Sequence, residues 1–170
     1  MNHVLSRWNL LSVDQAAKEI LPCCGSRAWA SSMVSSRPVQ DVATLLATSD
    51  RIWRELSAAN WLEAFRSHPR IGETRGPRGA SVQSRHWSAQ EQSHATESDD
   101  ALRQALAEAN REYEQRFHRL FIICAMGKSA DEILANLRQR LNNDEATELQ
   151  EAAEQQRQIA QIRLRKWLAE

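Results

Sequence analysis

His68 is followed directly by Pro69, at the end of the stretch NWLEAFRS. The proline removes an amide donor and disfavours helical geometry at the residue before it, so the imidazole leaves a helix abruptly on a fixed backbone. Histidine titrates near neutrality and is the commonest acid–base group in catalysis. At a helix exit it can be aimed into a cleft, or it can stand in solvent beside the negative end of the helix dipole. Ser88-x-x-Glu91, followed by Gln92, is the second group of interest. The same spacing makes a capping box, in which the carboxylate folds back onto its own backbone. If Ser88 opens a helix, its first-turn amides and the Ser, Glu and Gln side chains could meet the oxygens of one small molecule. Glu91-x-x-His94 has the spacing of a di-iron bundle motif, but no second Glu-x-x-His and no HExxH occurs, so no metal site is expected. Cys124 lies within the apolar FIICAM and reads as a small buried hydrophobe rather than a nucleophile.

These residues need elements to position them, and the pattern is helical. QAAKEIL, DVATLLATSDRIWREL, DDALRQALAEANREYEQRF, ADEILANLRQRL and EATELQEAAEQQRQIAQIRLRKWL carry apolar residues at three- and four-residue spacings. Ala, Leu, Gln, Glu and Arg are plentiful, and no hairpin signal or fixed-period repeat is present. Helices are expected near 12–21, 27–35, 39–57, 60–66, 88–97, 99–118, 130–141 and 145–168. Ser12-x-x-Gln15, Ser88-x-x-Glu91 and Ser129-x-x-Glu132 have capping-box spacing, Asn60 and Asp144 suit simpler caps, and Gly25, Gly127 and Asn142–Asn143 suit breaks. Residues 119–126 (RLFIICAM) fit either a buried helix or an extended piece crossing the core. The expectation is an all-α, single-domain bundle of about eight helices over residues 1–170.

One stretch breaks the pattern. Five of the nine Gly and Pro residues fall between Pro69 and Gly79, within a long loop expected at about 67–87. It holds Arg70, Arg75, Arg78 and Arg85 with His68 and His86, against the one acid Glu73. Such a loop is either a solvated surface segment or a cationic wall for a small anion, since guanidinium groups grip carboxylates bidentately.

Composition sets the outer bounds. The chain has 170 residues, 22 Lys+Arg against 22 Asp+Glu, 42% hydrophobic and 26% charged residues, as expected of one globular domain. A formal charge of zero gives no global attraction to nucleic acid or anionic membrane, and the arginine loop lacks the interleaved aromatics of an RNA-binding surface. The longest apolar run, Leu120–Met126, is far short of the ~20 residues of a membrane span. No signal peptide is read at the N-terminus, and three cysteines without CxxC spacing fit a reducing cytoplasm. No Walker, Rossmann or kinase fingerprint occurs. A non-enzymatic reading remains, in which the last helix presents Leu149, Ile159, Ile162 and Trp167 to a partner; such a stripe also suits a core or a homodimer.

Taken together, FRSHPRIGE (Phe65–Glu73), SAQEQ (Ser88–Gln92), YEQRFHRLFIICAMGKSADEILANLRQRLNND (Tyr113–Asp144), the terminal IAQIRLRKWL and CGSRAWASSMVSSRP (Cys24–Pro38) resemble the 2-oxo-4-hydroxy-4-carboxy-5-ureidoimidazoline (OHCU) decarboxylases of urate catabolism. The resemblance runs from about residue 10 to the end. It implies decarboxylation of OHCU to (S)-allantoin without metal or organic cofactor, by a cytoplasmic protein whose partner is a small-molecule substrate, not nucleic acid or membrane, and which forms a homodimer. By position it implies that His68 is catalytic with Pro69 beside it, and that Ser88, Glu91 and Gln92 form a substrate-binding segment with Glu91 also catalytic. It further implies that Phe121, Ile122, Ile123, Cys124 and Ala125 line the substrate through backbone groups, and that Arg163 lies near it. One departure is visible: where the resemblance leads one to expect Arg-Phe-Gly, the chain has Arg116-Phe117-His118.

Overall fold

The structure is a computed structural model that describes residues 2–73, 81–94 and 99–170. Nine α-helices and no strand occur among the described residues: α1 His3–Leu10, α2 Val13–Ile20, α3 Arg27–Ser35, α4 Val42–Glu55, α5 Ala58–Arg66, α6 Val82–Glu91, α7 Asp100–Phe117, α8 Ala130–Arg140 and α9 Glu145–Trp167. The expected all-α class is the observed one.

Short polar side chains start these helices by accepting first-turn amides that have no intrahelical partner. Asn2, Ser26, Asp41, Asp99 and Asp144 each do so, and Ser12 with Gln15 and Ser129 with Glu132 form reciprocal boxes. Those amides hold the Asp41, Glu132 and Asp144 carboxyls below the usual carboxylate range. Gly25 and Gly127 take positive φ at the expected breaks.

Three expectations fail, each for a local reason. The N-terminal residues form α1, which the sequence reading left out; at eight residues it is barely two turns, too short for a period to stand out. Asn60 is inside α5 rather than capping it, because the helix starts earlier, over the Ser57 carbonyl that accepts from the Asn60 and Trp61 amides. The helix expected at 88–97 instead covers 82–91, because Ser81, whose side chain accepts from the Ser84 amide, takes the capping role assigned to Ser88. The part of the expected loop from Val82 to Trp87 is therefore helical, and of its arginines Arg75 and Arg78 lie outside the described residues.

The chain divides into two compact units: Met1–Ala64 with Arg157–Glu170, and Phe65–Gln156. In the first, Trp8, Trp29, Met33, Leu45, Leu164 and Trp167 are fully buried. Trp8 meets Trp167 edge to face at 5.9 Å and donates its indole N–H to the Ala16 carbonyl, so both faces of its chemistry are satisfied. Of the possible partner-facing stripe Leu149, Ile159, Ile162 and Trp167, Ile159 and Trp167 are buried within the chain, while Leu149 and Ile162 are half-buried. The second unit packs Leu106, Tyr113, Phe117, Ile133 and Leu137 of α7 and α8 around Phe121, Ile123 and Ala125. These last three lie on 119–125, which is neither helix nor strand and settles the earlier ambiguity in favour of an extended piece.

Candidate active site

The extended segment must find hydrogen-bond partners outside any ladder, because buried backbone groups left unpaired are costly. Arg140 donates to the Ile122 carbonyl at 2.7 Å, Gln155 accepts from the Cys124 amide at 2.9 Å, and Lys128 donates to the Cys124 carbonyl at 2.8 Å. All five residues Phe121 to Ala125 are buried. Their side chains alternate: Phe121, Ile123 and Ala125 join the α7–α8 core, while Ile122 and Cys124 do not. Phe121 is held there by the Tyr113 ring at 5.2 Å and the Arg140 guanidinium over its face at 4.5 Å.

Cys124 shows what the other side meets. Burial pushes its thiol above the ordinary value, Lys128 opposes this, and the charge of Glu91 adds to it. Glu91 is therefore within electrostatic reach of the extended segment. It ends α6, whose buried residues are Ser84, Trp87, Ser88 and Glu91, one helical stripe at i, i+3, i+4 and i+7. That stripe is three parts polar. A carboxylate at a helix C-terminus also sits at the wrong end of the dipole for stability. Ser88 and Glu91 thus occupy the last two turns of a helix, not its first, and the capping box expected of them does not exist.

His68 lies just past α5 and is buried, 7% exposed, not solvated as one reading allowed. Its Nε2 is 2.6 Å from Oε1 of Gln156. The Gly72 amide donates to Oε1 of the buried Gln92 at 3.0 Å, and Asn110 holds the neighbouring Ile71 carbonyl. These contacts, with the charge of Glu91 acting on the Cys124 thiol as the one link that is neither a hydrogen bond nor a chain neighbour, trace a circuit within the second unit. It runs from His68 along Pro69 to Gly72, across to Gln92 and Glu91, by charge to Cys124, through its amide to Gln155, and from Gln156 back to His68. Six of the residues singled out in the sequence, His68, Pro69, Ser88, Glu91, Gln92 and Cys124, lie on that circuit or on the helix stripe that feeds it.

Three arginines singled out in the sequence have these surroundings. Arg70 is bound in a two-pronged pair with Glu114 at 2.6 and 3.0 Å, which raises its basicity and gives its fork a carboxylate inside the protein. Arg85 is exposed on α6. Arg163 belongs to the first unit, where it is fully buried and donates to the Pro22 carbonyl at 3.2 Å. Beside it, burial pushes the thiols of Cys23 and Cys24 up, the latter to about 12, which keeps them protonated and unreactive at neutral pH. A cavity of about 570 Å³ opens next to the circuit, with Gly72, Ile71, Leu106 and Asn110 in its wall. Among the described residues no cluster of His, Cys, Asp and Glu could hold a metal, and no helix is long and apolar enough to cross a membrane.

The residues missed in the sequence are the positioning ones: Gln155, Gln156, Arg140 and Lys128. A signal for one of them was present. In α9 the buried stripe through Ala152, Ile159, Ala160 and Trp167 also contains Glu148, Gln156 and Arg163, polar residues where the period calls for apolar ones.

Residues 9–165 match the OHCU decarboxylase family. The uric acid degradation bifunctional protein of Arabidopsis thaliana is 37% identical over 85% of this chain, which spans only 44% of that longer protein. A 2-oxo-4-hydroxy-4-carboxy-5-ureidoimidazoline decarboxylase of Amia calva is 32% identical over 86% of this chain and 80% of its own. A crystal structure of an OHCU decarboxylase in the presence of (S)-allantoin superposes with a TM-score of 0.77, at 32% identity, covering 89% of this chain and 98% of that one. With residues 9–165 matched by the family and relatives at 32–37% identity covering 85–89% of its length, the chain belongs to the OHCU decarboxylase family.

Proposed function

We propose that this protein decarboxylates OHCU to (S)-allantoin in urate degradation. The observation that carries the proposal is the circuit joining His68, Glu91, Gln92 and the Cys124 backbone in a chain of that family. The family match runs through both compact units, which supports reading residues 1–170 as one functional domain.

The chemistry suits such a site. The departing carboxylate is on a hydroxyl-bearing carbon next to a C=N bond. As the C–C bond breaks and CO2 leaves, its electron pair forms a C=C bond to the neighbouring ring carbon, and the C=N pair passes to the nitrogen, which takes up a proton. The hydroxyl loses its proton to become the ring carbonyl, and a proton is added to one face of the neighbouring carbon. The substrate is its own electron sink, so the proposal includes no cofactor and no metal. His68 is assigned the proton transfers, worth ~10²–10⁴ in rate for a placed acid–base group. Glu91 orients the hydroxyl or the imidazole, while Ser88, Gln92 and the 121–125 backbone hold the heterocycle in one pose. A homodimer and a cytoplasmic setting belong to the same proposal, and light scattering on the eluted protein tests the dimer.

The direct test is circular dichroism of freshly generated OHCU. Appearance of one allantoin enantiomer faster than the spontaneous reaction supports the assignment; a racemic product at the background rate overturns it.

A further inference from the structure

We infer that Gln156 is a positioning residue for His68, holding the neutral imidazole in the tautomer with its proton on Nε2 and its basic lone pair on Nδ1. The inference rests on the proposed role of His68 only for its consequence in catalysis; the tautomer itself is a property of the free protein.

The two side chains come from elements 88 residues apart and meet at 2.6 Å, each about nine-tenths buried or more. The atom facing the ring is the amide oxygen Oε1, which has lone pairs and no hydrogen. Only an N–H can satisfy it, so Nε2 must carry the proton. A free imidazole exchanges its proton between the two nitrogens, and a fixed acceptor at one of them removes that freedom. An amide also differs from the usual carboxylate partner. It carries no charge, so it fixes which nitrogen is protonated without strongly favouring the imidazolium.

The neighbouring residue makes the assignment more specific. Gln155 accepts from the Cys124 amide, so two consecutive glutamines of α9 hold the catalytic imidazole and the extended segment at a set separation. Successive helical side chains diverge, which suits one turn of helix to serving two elements at once.

Nitrogen-15 NMR of histidine-labelled protein reads this out, because protonated and unprotonated ring nitrogens resonate far apart and the coupling to the ring hydrogens identifies each. At a pH where His68 is neutral, Nε2 is expected in the protonated position and Nδ1 in the unprotonated one. Gln156→Leu, of similar size but without an acceptor, is expected to average the two and to lower kcat about tenfold with KM little changed, the scale of one neutral hydrogen bond. Gln156→Glu, isosteric and still an acceptor, is expected to keep the Nε2-protonated pattern. A wild-type His68 protonated on Nδ1, or a Gln156→Leu spectrum identical to wild type, overturns the inference. If His68→Ala left turnover intact while the wild-type pattern were as expected, the catalytic reading would fall and the tautomer assignment would stand.

Discussion

Two buried polar groups in the second unit resemble each other in burial and differ in construction. Around Glu148, every donor converges on one carboxylate. Arg140 reaches it through Nε and Nη2, Tyr113 through its hydroxyl at 2.6 Å and Asn143 through its amide at 2.9 Å. The Tyr113 phenol is pushed well above its usual value by burial and then by that hydrogen bond. Around His68, by contrast, the imidazole meets the neutral amide of Gln156, and nearby the Gly72 and Cys124 backbone amides meet the neutral side chains of Gln92 and Gln155. Charge matched to charge makes a fixed anchor. A neutral partner beside an imidazole fixes its place and one of its nitrogens without adding a charge.

If that contrast is right, the two groups fail in different ways. Glu148→Ala should be the most damaging single change, because it leaves the Arg140 charge buried without its counter-ion and frees the backbone it holds at Ile122. A loss of about 3–5 kcal/mol is expected, visible as a large drop in the urea midpoint. Were the midpoint to stay near wild type, the anchor reading would be wrong and the network would be spare polarity. His68→Ala and Glu91→Ala should do the reverse. Turnover falls by at least about 10², while the urea midpoint moves little. A Glu91→Ala variant that keeps its rate and unfolds early would move Glu91 into the anchor class.

The same contrast explains how much could be read beforehand. Helices α3, α7, α8 and α9 carry enough buried apolar residues for a helical period to show, and their limits fell within a residue or two. α6 was misplaced by six residues because its buried stripe is Ser84, Trp87, Ser88 and Glu91, with one apolar member. A helix whose inward face does chemistry loses the very signal by which helices are found. His68, Ser88, Glu91 and Gln92 were legible as local motifs, whereas Gln156 was not, since its meaning depends on a contact across 88 residues that no spacing encodes. The partner of Arg70 was hidden for a related reason: Glu114 lies 44 residues away on α7.

The smallest expected effect concerns the entrance to the extended segment. His118 follows α7 with φ 53 and ψ 29, the left-handed turn that glycine adopts freely and that costs other residues about 1–2 kcal/mol. Its amide closes onto the Glu114 carbonyl, so the turn is made at the expense of local strain. The resemblance called for glycine here, and the geometry shows what it would have relieved. His118→Gly should gain up to about 1 kcal/mol, less whatever the more flexible unfolded chain takes back, raising Tm by about 2–4 °C at most. Turnover should not change, because the turn delivers the backbone to Arg140, Lys128 and Gln155 and they set its course from there. A stabilised variant with slowed turnover would instead show that the strain at His118 is transmitted along 119–125 into the site, and the separation between anchor and active site would have to be redrawn one turn earlier in the chain.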